Sequence, residues 1–209
     1  MNRDSAKRAP APRLRARLRE ATAEAIRAAA EEVLGEQGFG ARMEDIAERA
    51  GVSVGTLYNH FEDRTALLRE LVRVRREALI ERLDGVLARV EGEPFAEQLH
   101  ALLDTVFNHF REHARFFASA LQSEVFRAGP PPKDGTLALL TVRVERILQR
   151  GVEAGAVRRE GAELYPTLLV GMLRGLLLRA AETGRDEELR DGARVLLQVF
   201  LQGVEVQRT

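Results

Sequence analysis

The chain has 209 residues, 45% hydrophobic and 31% charged, which is the composition of a folded protein with length enough to bury a core. Its 32 basic and 32 acidic residues cancel, so a uniformly basic nucleic-acid coat is excluded and any such site must be a local patch. Cysteine is absent, which removes disulfides, thiolate metal sites and a thiol nucleophile.

Residues 1–13 contain Pro10 and Pro12 without apolar periodicity and are expected to form a flexible basic arm. Over residues 1–20, Arg3, Lys7, Arg8, Arg13, Arg15, Arg17 and Arg19 outweigh Asp4 and Glu20, a net charge of +5. The arm reads either as a solvated tail or as a segment that follows a phosphate backbone or enters a minor groove. From Leu14 the spacing turns helical: Leu18, Ala21, Ala25, Ala28, Ala29 and Val33 predict an apolar stripe that ends at Gly35 and Gly38. A short helix is expected over Met43–Ala50 with Ile46 and Ala47 inward, then a tight turn at Gly51. A second short helix, Val54–His60, is capped by Ser53, and a long one runs from about Arg64 towards Arg89 behind Asp63.

Gly92 and Pro94 precede a helix at about 95–112 whose stripe is Phe95, Leu99, Leu102, Leu103, Val106 and Phe110. Further helices are expected at about 115–127, 135–153, 163–183 and 187–205, the last two split at Gly184. No stretch alternates with period two between hairpin turns, so the fold class is all-α. The expected domains are the arm at 1–13, a three-helix N-terminal domain at 14–62, and a larger helical domain at 63–209. No apolar run of signal-peptide length follows the first basic residues. The longest apolar tract, Leu168–Ala181, is interrupted by Arg174 and Arg179 and is too short to span a bilayer. A cytoplasmic protein with no membrane partner is expected.

Met43–Phe61 reads MEDIAERAGVSVGTLYNHF. Ile46, Ala47, Ala50, Val52, Leu57 and Phe61 stand where two short helices would pack across a glycine turn, which is helix-turn-helix spacing. Ala47 and Ala50 are small enough for close approach. Capped by Ser53, the second helix presents the positive end of its dipole, which suits phosphate. With Leu57 and Phe61 inward, Thr56, Tyr58, Asn59 and His60 fall on outer faces. By spacing alone an ordinary helical hairpin fits too, and a helical protein-interaction module without DNA binding is the alternative function.

The segment resembles the tetracycline-repressor (TetR) family of bacterial regulators in Gly38-Phe39, Asp45-Ile46-Ala47, Ala50-Gly51-Val52-Ser53, Gly55-Thr56-Leu57-Tyr58, His60-Phe61 and Leu67-Leu68. The resemblance implies a homodimeric DNA-binding regulator, a repressor released from a palindromic operator by a small hydrophobic effector. No Ser/His/Asp spacing or phosphate-binding glycine loop stands out, so neither an enzyme nor a cofactor is expected. It also implies that Val54, Gly55, Thr56 and Tyr58 face the groove, and that Thr56, Tyr58, His60 and Arg64 touch phosphate. Together with Asn59 and Arg42 these are the candidate DNA-binding residues. Where the family often has a hydroxyl residue at the start of the second helix, this chain has Arg42 and Met43: a cap is lost, and Arg42 is left to supply a phosphate contact. Val54 and Gly55 bring no hydrogen-bonding side chain, so base readout by this helix is expected to be sparse.

Beyond the motif, His109 and His113 stand four apart beside His100 and invite a metal reading. Without cysteine or an H-E-x-x-H pattern that reading is disfavoured, and His113 is placed in the apolar stripe with His109 at its edge. Phe107, Phe110, His113, Phe117 and Met172 are candidate effector-pocket residues, against the plainer reading of a packed core; Phe116 and Phe126 belong to the same aromatic group. In the last two helices Leu189, Ala193, Leu196, Leu197, Phe200, Leu201 and Val204 form one stripe. Val195 and Val199 lie off it, and Gly171-x-x-x-Gly175 permits close helix contact. A surplus of apolar faces predicts a symmetric four-helix dimer interface through Gly171, Gly175, Leu196, Val199 and Phe200; a wholly intrachain core is the alternative.

Overall fold

The computed structural model describes residues 12–121, 135–184, 189 and 191–204. Within these the chain forms nine α-helices, a short 3-10 turn and no strand. They are α1 (Pro12–Gln37), α2 (Met43–Arg49), α3 (Val54–His60), α4 (Arg64–Arg89), α5 (Phe95–Glu112), α6 (Ala114–Leu121), α7 (Thr136–Glu153), α8 (Tyr165–Thr183) and α9 (Gly192–Val204), with the 3-10 turn at Gly38–Gly40. The chain divides into two compact units, 1–67 and 68–209, so the division falls within the first turn of α4. No helix among the described residues is long and apolar enough to cross a membrane.

In the first unit α1 packs on α2, and α2 on α3. Helix α1 begins at Pro12, so the last residues of the expected arm are helical, while residues 1–11 lie outside the described part. Its buried face is Ile26, Ala29, Ala30, Val33 and Leu34, and Leu18, Ala21, Ala25 and Ala28 from the expected stripe are exposed. Alanines on both sides of the helix blur its periodicity, and the larger Ile26 and Leu34 decide which side is withdrawn from water. Arg49 fastens α2 to α1 through Glu36 at 2.8 Å and Glu32 at 3.1 Å.

In the second unit α5 lies at the centre, against α7 and α9, and α8 packs on α6, α7 and α9. The core is built from Leu79 and Leu83 of α4, Leu99, Leu102, Leu103, Val106 and Phe107 of α5, and their partners on α7, α8 and α9. Gly192 lets α9 approach α5 closely, since a Cβ there would lie 2.6 Å from Phe107 Cε1. Arg143 binds Asp84 through two bonds of 2.8 Å and ties α7 to α4. The expected stripe of the last helix is bound into this core: Leu189, Ala193, Leu196, Phe200 and Val204 are buried. Of the helix expected at 115–127, α6 accounts for the part up to Leu121; residues 122–134, with Phe126, lie outside the described residues, as do 185–188 and 205–209.

Candidate nucleic-acid interface

Helix α2 ends in a two-bond turn that sets where α3 begins. Val52 N–H donates to Ala47 C=O at 3.0 Å and Gly51 N–H to Glu48 C=O at 3.0 Å, with Gly51 at φ +67°. That left-handed backbone is open to glycine at little cost and strains any residue with a Cβ. Two residues later Ser53 closes the start of α3. Its Oγ accepts Thr56 N–H at 3.0 Å and lies 2.8 Å from Thr56 Oγ1. The remaining free N–H groups of the first turn leave partial positive charge at this end.

Leu57 is fully buried and Phe61 nearly so, and together they anchor α3. The other side chains of the helix are therefore turned out. Tyr58 is 46% exposed, Asn59 and Gly55 are exposed, and Val54, Thr56 and His60 are half-buried. Asp63 Oδ1 accepts Ala66 N–H at 2.6 Å and starts α4, and Arg64 stands in that first turn, half-buried. Burial draws the Arg64 guanidinium below its usual pKa. At the start of α2, Arg42 occupies the cap position without a side-chain cap bond, as its sequence predicts. Its exposed guanidinium contacts Asp45 at 3.3 Å, and that hydrogen bond holds its pKa up. The eight expected DNA-binding residues thus fall on the start of α2, the outer side of α3 and the first turn of α4.

The effector-pocket candidates of the second unit separate into two groups. Phe110 and Phe117 stack at 4.4 Å, joining α5 to α6, and the His109 and His113 rings lie 5.0 Å apart beside them. Phe107 instead is buried against Gly192 of α9, and Met172 packs half-buried on the core from α8. The two histidines exchange their expected places: His109 is 4% exposed and His113 half-buried. The cause is local. His113 leaves the helix as its C-cap, with φ −121° and ψ 25°, while the turn into α6 brings Phe117 to within 6.0 Å of the His109 ring. Burial first, then the charges of His113 and Arg75, push the His109 pKa down to about 4, so it is a neutral imidazole near pH 7.

Of the expected interface residues, Leu196 and Phe200 turn into the unit's own core, whereas Gly171, Gly175 and Val199 are exposed. Leu164, at the N-cap of α8, and Leu168, on it, were not among the expected interface residues and are 58% and 54% exposed; Val195 on α9, read as lying off the stripe, is 46% exposed. Leu164, Leu168, Gly171 and Gly175 follow helical spacing along one side of α8, and that spacing was the available signal.

Comparison with known proteins places these features. The family model for bacterial regulatory proteins of the tetR family matches residues 26–71, which include α2, α3 and the turn between them. An HTH-type transcriptional regulator of Staphylococcus aureus (strain MRSA252) is 32% identical over 62 residues, 30% of this chain and 32% of the relative. The match therefore spans about a third of that curated relative's length. Among solved structures, a TetR transcriptional regulator of Streptomyces coelicolor is 28% identical, with 89% of this chain and 99% of that one covered at a TM-score of 0.58. A transcriptional regulator of Rhodococcus sp. Rha1 is 24% identical over 89% and 99% of the two chains, TM-score 0.69. The regulator FadR of Bacillus subtilis, solved in complex with stearoyl-CoA, is 19% identical over 87% and 99%, TM-score 0.70.

Proposed function

Because this chain belongs to the TetR family of bacterial regulatory proteins, we propose that it binds a palindromic duplex operator as a homodimer, in the cytoplasm, and represses transcription until a small hydrophobic effector releases it. The observation that carries the reading is the Ser53-capped start of α3, with Tyr58 and Asn59 turned outward and Leu57 and Phe61 held inward. Arg42, Thr56, Tyr58, His60 and Arg64 position the helix on phosphates. Val54 and Gly55 approach the base edges closely, Val54 against a thymine methyl. With so little hydrogen bonding from those two residues, much of the sequence preference comes from Asn59, from the DNA's own shape, or from the basic N-terminal residues.

Two reading heads favour a dimer. Each half-site needs its own reading head, about 34–36 Å from the other or a multiple of that. The exposed apolar side formed by Leu164, Leu168, Gly171, Gly175, Val195 and Val199 is the proposed contact. Among the described residues, nothing lies within 4 Å of a Cβ placed at Gly171 or Gly175, so a partner helix has room to approach. The effector is expected among α5, α6 and α8, beside Phe110, Phe117, His113 and Met172, with Phe107 as supporting core. A related fold that holds stearoyl-CoA is consistent with an apolar guest. Release requires only that the effector bind the DNA-incompetent arrangement more tightly than the competent one.

Selection of duplexes from a random pool tests this reading. Enrichment of a two-fold symmetric sequence bound by two chains supports it. A pool that stays random after repeated rounds at low salt would leave the hairpin as a protein-contact module.

A further inference from the structure

The last turn of α5 carries a group of side chains that the DNA-binding reading does not use. One ring nitrogen each of His109 and His113 and a carboxylate oxygen of Glu112 lie within 4.8 Å of one another. They come from one helix end at positions i, i+3 and i+4, which places them over the same turn. Residues 109–113 read H-x-x-E-H, the reverse of the H-E-x-x-H pattern. A second, independent feature points to a ligand. His109 is 4% exposed, and its Nε2 is buried with no hydrogen-bond partner among the described residues. A buried polar atom of that kind is unfavourable unless something satisfies it.

We propose that His109, Glu112 and His113 form a binding site for one divalent transition-metal ion of the zinc, nickel, cobalt and copper class. Two imidazoles and one carboxylate are the donor set these ions prefer, and three protein ligands leave a further position for water or for a donor atom of a small molecule. Donors on one tetrahedral ion at 2.0–2.2 Å stand roughly 3.3–3.6 Å apart, so side-chain rotations of an ångström or so close the site. Glu112 accepts hydrogen bonds from Arg82 at 2.8 and 3.2 Å. A carboxylate has about four lone-pair positions, so the pair with Arg82 leaves it able to bind an ion as well. Arg82 then serves as the outer partner that orients a ligating carboxylate.

Calorimetric titration of zinc chloride into tag-free, chelator-stripped, full-length protein is the test, and it needs no DNA. The expected result is one ion per chain, bound at least about tenfold more weakly by His113→Gln and by Glu112→Gln, both with unaltered circular dichroism and melting. Nitrogen-15 spectra of the wild-type imidazoles give a reading that no variant can spoil: of the four histidines, the ring signals of His109 and His113 move with zinc while those of His60 and His100 stay. Absence of binding, binding that His113→Gln leaves unchanged, or a His109 signal unmoved at saturating zinc overturns the proposal.

Discussion

Gly192→Ala places one methyl group where α9 crosses α5. The added Cβ would sit 2.6 Å from Phe107 Cε1, 2.9 Å from Cζ and 3.1 Å from Cδ1. Phe107 is 2% exposed and enclosed by the core, so its ring has little space into which to swing. Overpacking of this kind costs about 1–3 kcal/mol. Replacing glycine in a helix returns at most about 1 kcal/mol, and less at the first residue of α9. The expected net loss is about 1–2 kcal/mol, or roughly 2–8 °C in Tm for a unit of this size. Gly85→Ala on α4 is the control: among the described residues nothing lies within 4 Å of the added Cβ, and stability should hold or rise. Thermal melts of both variants, together with Phe107→Leu and the Gly192→Ala/Phe107→Leu double variant, measure the coupling. Phe107→Leu should cost clearly less in the alanine background than alone. A Gly192→Ala protein that melts at or above the wild type, or two losses that simply add, would refute the contact and reopen Phe107 as a pocket residue.

Ser53→Ala removes the acceptor of Thr56 N–H and should lower the stability of the first unit by about 1 kcal/mol, read by denaturant unfolding, and weaken duplex binding beyond that loss. Gly175→Arg sets a charged side chain on the exposed apolar side of α8. Sedimentation equilibrium should show monomers with unchanged helicity, because the chain's own core does not touch that position. Removing residues 1–11 should leave melting unchanged and lower duplex affinity modestly at low salt; superimposable binding curves would assign those residues to solvent.

Legibility in the sequence followed local chemistry. The bounds of α3, α4 and α5 stand at their expected residues because side chains next to them cap or stop a helix: Ser53 for α3, Asp63 for α4, Pro94 for α5. The glycine turn was equally plain, since one residue with positive φ separates two apolar runs. What escaped was decided by tertiary contact. In alanine-rich α1 the alanines alone do not choose between Ala28 and Ala30; the bulkier Ile26 and Leu34, each four residues from Ala30, set the face that packs inward. His109 and His113 exchanged places because a helical wheel continues past Glu112, whereas the chain turns into α6 there. Leu196 and Phe200 looked available for a partner because the apolar stripe of α9 says nothing about whether α5 already covers it. Glu112 drew no attention as a charged residue near a helix end, and its meaning comes from the two imidazoles beside it.

The most direct measurement of the central claim is the affinity for the selected duplex as a function of salt, for the wild type and Arg64→Ala. Log affinity should fall linearly and steeply with log salt, because bound phosphates release counterions. Arg64→Ala should weaken binding to all duplexes alike and make that slope shallower by about one. Affinity that is indifferent to salt, or an Arg64→Ala protein that keeps its affinity and changes its sequence preference, would contradict the assignment of α3 and the first turn of α4 to a DNA backbone.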